Sequence, residues 1–201
     1  MKNITQATYD KIAPTFAKTN AEMSENLLHE ARKFTEMLPK NERCLDLGCG
    51  AGRDTAWFEG QGLNIFGADL SIGMLTEARK ITSHPLVQMD MLRLGFADKS
   101  FAGIWCNATL LHLPKADAPQ ALKEMRRILW DNGVLDLAVQ EGSNEGFEEN
   151  PYAEGQGERF FSRYQEGEMK QMLVTSGFII LEIEQVKSKR AWLRFVAQCS
   201  N

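Results

Sequence analysis

From residue 27 onward, apolar runs of strand length alternate with stripes of helical period, and few architectures accommodate that order. Leu27, Leu28, Ala31, Phe34 and Leu38 share one helical face, and Pro39 ends that helix. Cys44-Leu45-Asp46-Leu47 is a short apolar run closed by Gly48 and reads as a buried strand. A helix over 55–61 starts near Asp54, and a second strand covers 63–68. Ser71 can cap a helix carrying Ile72, Leu75 and Ala78 on one side. Residues 86–89 and 101–106 give a third and a fourth strand. Ala118, Leu122, Met125 and Leu129 form another helical stripe. Asp131-Asn132-Gly133 is then a turn and 134–139 a fifth strand. Met169, Met172 and Leu173 mark one more helix, stopped at Gly177. The end differs in kind: runs 178–186 and 191–198 are joined only by Lys187-Ser188-Lys189-Arg190, too short for a helix, so they pair antiparallel. This order predicts an α/β fold with a parallel sheet covered on both faces and a closing antiparallel hairpin. Ligands of such sheets sit beyond the carboxyl ends of the strands, so chemistry belongs in the loops that follow each strand.

Composition excludes several classes. The chain has 201 residues, which at roughly 150 per domain predicts one domain over 1–201. Hydrophobic residues at 43% and charged residues at 25% exclude wholesale disorder, collagen and coiled coil. No apolar run reaches membrane-spanning length, and the polar start, Met1 to Tyr9, lacks a signal-peptide core. A cytoplasmic location without membrane contact is therefore expected. With 23 Lys and Arg against 27 Asp and Glu, the net charge is −4, which gives no general attraction to nucleic acid. Cys44, Cys49, Cys106 and Cys199 lack CxxC spacing, and His29, His84 and His112 stand apart. Neither a metal site nor a disulfide is expected, and the thiols read as buried.

The loop after the first strand, Gly48-Cys49-Gly50-Ala51-Gly52-Arg53, alternates glycine with other residues before a helix begins. Glycine backbone lets a ligand approach closely. The dinucleotide spacing G-x-G-x-x-G fails, because the sixth position is Arg53 from Gly48 and Thr55 from Gly50. Asp46 lies two residues before the first glycine. A carboxylate there repels a pyrophosphate and attracts a cationic amino group. A nucleoside joined to an amino acid meets both demands. Leu45-Asp46-Leu47-Gly48-Cys49-Gly50-Ala51-Gly52 resembles the first motif of the class I S-adenosylmethionine-dependent methyltransferases, [ED]-x-G-x-G-x-G. The resemblance implies a three-layer α/β/α Rossmann-like sandwich with a seven-stranded, mostly parallel sheet. It implies S-adenosyl-L-methionine as cofactor, held at Asp46, Gly48, Cys49, Gly50 and Gly52.

The other loops extend the resemblance. Asp69 ends the second strand 17 residues past Gly52, where an acid accepts from ribose hydroxyls or caps the next helix. Leu70 would pack on the adenine. Asp90 and Met91 follow the third strand, where the family places an acid on the adenine amino group and a backbone N–H on the ring. Asp90 as a solvated loop charge is the alternative. Backbone near Cys106 and Asn107, after the fourth strand, should approach the methionine end. That segment lacks the N-P-P-[YF] signature of base and glutamine amino methylation. His112 is the candidate general base, or else a packing residue ahead of Pro114. Arg53 anchors the glycine loop, faces substrate, or is a solvated charge.

Tyr9-Asp10-Lys11-Ile12-Ala13 resembles the N-terminal helix that closes over the cofactor in small-molecule members, making 1–40 a helical lid region and 41–201 the core. Tyr9, assigned to the cofactor, and Phe16 are its lid aromatics, or pack simply on the domain. Residues 141–163 read as a long loop. Its six Glu between Glu141 and Glu158, without Lys or Arg, either complement a cationic substrate or are solvated charge. Arg159-Phe160-Phe161-Ser162-Arg163-Tyr164 resembles the stretch that carries acceptor-facing residues. The expected activity is methyl transfer to a small molecule by in-line displacement. A protein or RNA methyltransferase and a nicotinamide-dependent oxidoreductase are the alternatives.

Overall fold

Period-two alternation along the strands sends side chains into two separate cores, one on each face of a single sheet. In the computed structural model, which describes residues 2–153, 155–187 and 190–200, Leu45, Leu47, Ile104, Cys106, Leu135, Leu137, Phe195 and Ala197 enter one core. Cys44, Trp105, Val134 and Val196 enter the other. The helices are α1 (Lys2–Thr19), α2 (Glu25–Glu36), α3 (Arg53–Gly60), α4 (Ile72–Ala78), α5 (Ala118–Ile128) and α6 (Glu166–Thr175). The strands are β1 (Arg43–Leu47), β2 (Asn64–Asp69), β3 (Leu86–Gln88), β4 (Phe101–Asn107), β5 (Leu129–Gln140), β6 (Glu145–Glu149), β7 (Glu158–Ser162), β8 (Phe178–Lys187) and β9 (Ala191–Cys199). Helices α5 and α6 cover the first core with Leu122, Met125, Met169 and Leu173. Helices α2 and α3 cover the second with Ala31, Phe34 and Phe58.

The sheet order is β3-β2-β1-β4-β5-β9-β8. Strands β1 to β5 pair in parallel, and β9 runs antiparallel between β5 and β8. The three-layer, seven-stranded expectation therefore holds. The chain moves outward from β1 through β2 and β3, then returns to place β4 on the other side of β1. That switch point puts the loops after β1 and β4 at the mouth of one crevice.

Several local expectations need correction. Leu129 does not continue the α5 stripe; it opens β5 opposite Phe101. The pairing resumes at Gly103 and Val134, so the Asp131-Asn132-Gly133 turn is a protrusion within a longer strand, with Asn132 at φ 64°. Ile72 is exposed, and Met74 with Leu75 and Ala78 forms the buried side of α4. The stretch 141–163 is not a plain loop, because β6 and β7 pair antiparallel as a separate hairpin. Phe147 faces Phe160 across it, and the buried Asn150 ties its turn by accepting from the amides of Tyr152 and Ala153. Glu154 and most of the Lys187-Ser188-Lys189-Arg190 link lie outside the described residues or their side chains. All four cysteines are buried free thiols. Among the described residues no helix is long and apolar enough to cross a membrane.

Helix α1 lies across the crevice, and its first half is held from two sides. On one side Asp10 accepts from the Ser71 hydroxyl (2.6 Å) and the Gly73 amide (2.9 Å), and Gln6 donates to the Leu70 carbonyl. On the other, Thr5 accepts from the Phe160 amide and Thr8 donates to the Glu158 carbonyl. A Cβ on Gly73 would stand 2.7 Å from the Asp10 carbonyl oxygen, so glycine permits this close approach of α1 to α4.

Candidate active site

A cavity of about 860 Å³ opens at the carboxyl ends of β1 to β5 and is roofed by α1. The glycine loop forms its floor. Gly48, Gly50 and Gly52 adopt φ of 80°, 53° and 85°, which side chains resist. The three differ in what they face. A Cβ on Gly48 would strike Thr109 at 2.0 Å, and one on Gly52 would strike Ala78 at 2.8 Å. On Gly50 it would meet only Phe16, at 3.9 Å, so this glycine alone presents bare backbone to open space.

Three acids stand around that floor. Asp46 is 2% exposed and accepts only a 2.6 Å bond from Thr55. Burial, reinforced by the neighbouring Asp54 charge, pushes its pKa up to about 8, and no cation pairs directly with it among the described residues. Asp54 is better served: Arg53, the Trp105 indole N–H (2.9 Å) and Asn107 all donate to it. Asp69 accepts from the amides of Gly50 and Ser71, both at 2.8 Å. Burial still raises its pKa against those two bonds. Each Asp69 oxygen keeps a lone pair for a further donor. The carboxylate thus holds the Ser71 amide ahead of α4, shapes the glycine loop and still faces the cavity, so helix capping and ligand contact, offered as alternatives by the sequence, are compatible.

The opposite wall is built from the hairpin, α1 and the turn after β4. The carbonyl of Phe160 can only accept, so His112 Nδ1 donates to it at 2.7 Å. His112 Nε2 is then unprotonated and accepts from the Tyr9 hydroxyl at 2.8 Å. Tyr9 in turn accepts from Arg159 Nη1 at 3.1 Å. Burial lowers the His112 pKa to about 4, helped by the Arg159 charge, so the ring is neutral at pH 7. Burial likewise raises Tyr9 to about 12. The Arg159 guanidinium lies 5.0 to 5.4 Å from the ring centres of Phe161, Tyr152 and Tyr9.

Most residues singled out in the sequence line this one cavity: Tyr9, Phe16, Asp46, Gly48, Cys49, Gly50, Arg53, Asp69, Leu70, Asp90, Met91, Asn107 and His112. Gly52 and Cys106 do not. Gly52 turns towards α4, and Cys106 shares the parity of Ile104, so its side chain enters the core under α5. Of 159–164, only Arg159 and Phe161 reach the cavity, for the same reason of alternation. Arg163 pairs with Glu148, and Tyr164 is buried beneath Lys115. Glu145 and Glu141 are likewise engaged within the protein, by Lys115 and Gln185. Sequence reading missed Asp54, Tyr152 and Arg194. A lone Arg within the apolar run 191–199, and a lone Asp within 134–139, were the available signals. Arg194 and Asp136 form a buried ion pair, and Arg194 also donates to Asn107 and covers the Trp105 ring at 4.5 Å.

Comparison with known proteins agrees with this layout. The family model described as "Methyltransferase domain" matches residues 45–137. The chain is similar to a 2-phytyl-1,4-naphtoquinone methyltransferase of Thermosynechococcus vestitus, with 33% identity over 69% of this chain and 66% of that protein. The curated relatives it matches first are longer, and the chain spans 37% to 66% of their length. Its fold is similar to the Burkholderia thailandensis 1,6-didemethyltoxoflavin-N1-methyltransferase solved with 1,6-didemethyltoxoflavin and S-adenosylhomocysteine (TM-score 0.74, 20% identity, 96% of this chain and 87% of that one). It is equally similar to the (4+2) cyclase SpnF (TM-score 0.77, 16% identity, 97% and 95%), so the sheet by itself does not fix the chemistry. From motif, domain match and topology together, the chain belongs to the class I S-adenosylmethionine-dependent methyltransferases.

Proposed function

We propose that the protein transfers a methyl group from S-adenosyl-L-methionine to a small-molecule acceptor, and that the crevice at the β1–β4 switch point is its active site. The observation that carries this reading is the open Gly50 backbone beside two acids, the buried Asp46 and the half-buried Asp69, that no cation pairs with among the described residues. Those residues fit the group. Asp46 takes the ammonium, Gly50 and its neighbours admit the methionine backbone, Asp69 accepts from the ribose, and Asp90 with Met91 reads the adenine. S-adenosylmethionine, when bound, supplies a methyl already activated on a sulfonium.

What remains for the chain is to position the acceptor in line and to exclude water. Tyr9 and Phe16 on α1 close the roof, and Tyr152 on the hairpin packs 5.0 Å from Phe16 to complete it. The volume, about 860 Å³, accommodates a second molecule beside the nucleoside. His112 serves as a positioning residue in this reading. Both ring nitrogens are engaged, and a pKa near 4 makes it a poor base at neutral pH.

Thermal unfolding with S-adenosylhomocysteine and with NAD separates the two cofactor readings, because a ligand that binds only the folded state raises the midpoint. A rise with S-adenosylhomocysteine alone is expected; a rise with NAD alone overturns the proposal. Labelled-methyl transfer into a metabolite extract, with the product identified by mass, then names the acceptor.

A further inference from the structure

Among the described residues, Arg159 is a cation without a counter-ion. It is 6% exposed, lines the cavity, and no carboxylate among the described residues pairs with it. Other buried or half-buried arginines of the chain do better: Arg194 has Asp136, Arg163 has Glu148 and Arg127 has Glu124. A guanidinium carries five N–H groups in its plane. Here Nη1 donates to Tyr9, Nε is sealed off without an acceptor, and among the described residues nothing accepts from Nη2. Tyr9, Tyr152 and Phe161 attract the cation through their ring faces, but ring faces leave the in-plane donors unsatisfied. A planar oxyanion at the Nη edge is the group that completes this arrangement.

Two ligands could bring such an anion, the acceptor or the methionine carboxylate of the cofactor. Topology favours the acceptor. The acids proposed for the cofactor lie at or just past the carboxyl ends of β1, β2 and β3, on one side of the switch point. Arg159 sits on the hairpin that leaves β5, and it is linked through Tyr9 to His112 in the turn after β4. We propose that Arg159 is the specificity determinant for an acceptor that carries a carboxylate or comparable oxyanion on a planar apolar body. The inference deepens the methyltransferase reading and rests on it for the word acceptor, while the anion site itself can be tested alone.

The test uses benzoate and its neutral counterpart benzamide as probes, titrated by calorimetry into the full chain saturated with S-adenosylhomocysteine. Benzoate should bind on the order of tenfold more tightly than benzamide, the difference expected of a charge-assisted pair. Arg159→Gln should erase that preference and leave S-adenosylhomocysteine affinity unchanged. Arg159→Lys, which keeps the charge but loses the planar fork, should retain part of it. Equal binding of the two probes to the unaltered protein, or binding of neither, overturns the proposal without recourse to any variant. So does a preference that survives in Arg159→Gln. Loss of S-adenosylhomocysteine affinity in that variant, with benzoate binding intact, assigns Arg159 to the cofactor carboxylate and also overturns it. If S-adenosylhomocysteine fails to bind the unaltered protein, the methyltransferase reading falls. The same titrations without it then still decide whether Arg159 holds an anion.

Discussion

The two walls of the cavity are built differently. The glycine-loop wall comes from short pieces at the ends of β1, β2 and β3, and burial raises the pKa of its acids Asp46 and Asp69, with which no cation pairs among the described residues. The hairpin wall gathers Tyr9, His112 and Arg159 from positions up to 150 residues apart, and its charge shortfall has the opposite sign. The contrast teaches that the glycine-loop wall, which the proposed function gives to the cofactor, is a local device set by residues near one another in the chain. The hairpin wall, which it gives to the acceptor, is a tertiary device held by the packing of α1 on the hairpin. Substitutions on one wall should therefore leave ligand binding at the other intact.

The largest effect is expected beneath both walls. Breaking the buried Arg194–Asp136 pair with Arg194→Met leaves Asp136 unpaired and should cost about 3–5 kcal/mol in urea unfolding. A loss well under 1 kcal/mol would mean that the walls do not share this support. Next comes pH. The unfolded chain protonates His112 near pH 6.5, whereas the fold resists until about pH 4. Above the unfolded value His112 contributes no slope. Between the two values stability should fall with acidification, by about 3 kcal/mol in total from this group. His112→Gln should flatten that part of the profile, and an unchanged slope would refute the buried neutral ring.

A smaller effect separates the walls directly. Asp69→Asn removes the charge that faces the cofactor and should weaken S-adenosylhomocysteine by roughly 10- to 100-fold, with benzoate binding retained. Loss of both affinities together would show the walls to be coupled. The smallest is Tyr9→Phe, which deletes the hydroxyl between Arg159 and His112. It should lower stability by about 1–3 kcal/mol through the stranded His112 nitrogen, at the low end if water replaces the hydroxyl. Calorimetry should find S-adenosylhomocysteine affinity unaltered.

The same contrast explains what could be read from sequence. Strand parity and glycine spacing are local, so β1, its loop, Asp46 and Asp69 were legible before any coordinates. The β6–β7 hairpin was not. Phe147 is the only large apolar residue of Glu145–Glu149, and glutamates are weak strand formers, so nothing in the segment announces a strand. Its partners are contributed from elsewhere: Thr5 and Thr8 of α1 hold β7, and Lys115 holds Glu145. At the end of β4 the Cys106 side chain enters the core, whereas Asn107, one step of the pleat further, faces the cavity, a difference that the expectation of a close backbone did not resolve. The protrusion at Asn132 shows the same limit from the other side. The turn itself was visible, but that β5 begins before it depends on Phe101 across the sheet.

If helix α1 is the lid that the proposed function calls for, it is a door with countable latches. It has no acidic residue in its first turn, carries Pro14 within it, and depends for its seat on side-chain bonds from Thr5, Gln6, Thr8, Tyr9 and Asp10. Releasing those bonds, together with the small apolar contact of Ala13, Phe16 and Ala17 against Ala51 and Met74, would free the helix without disturbing either main core, so ingress and egress would require far less than global unfolding. Amide exchange in α1 should outpace that in β1 and β4, and occupancy of the chamber by both ligands should slow it.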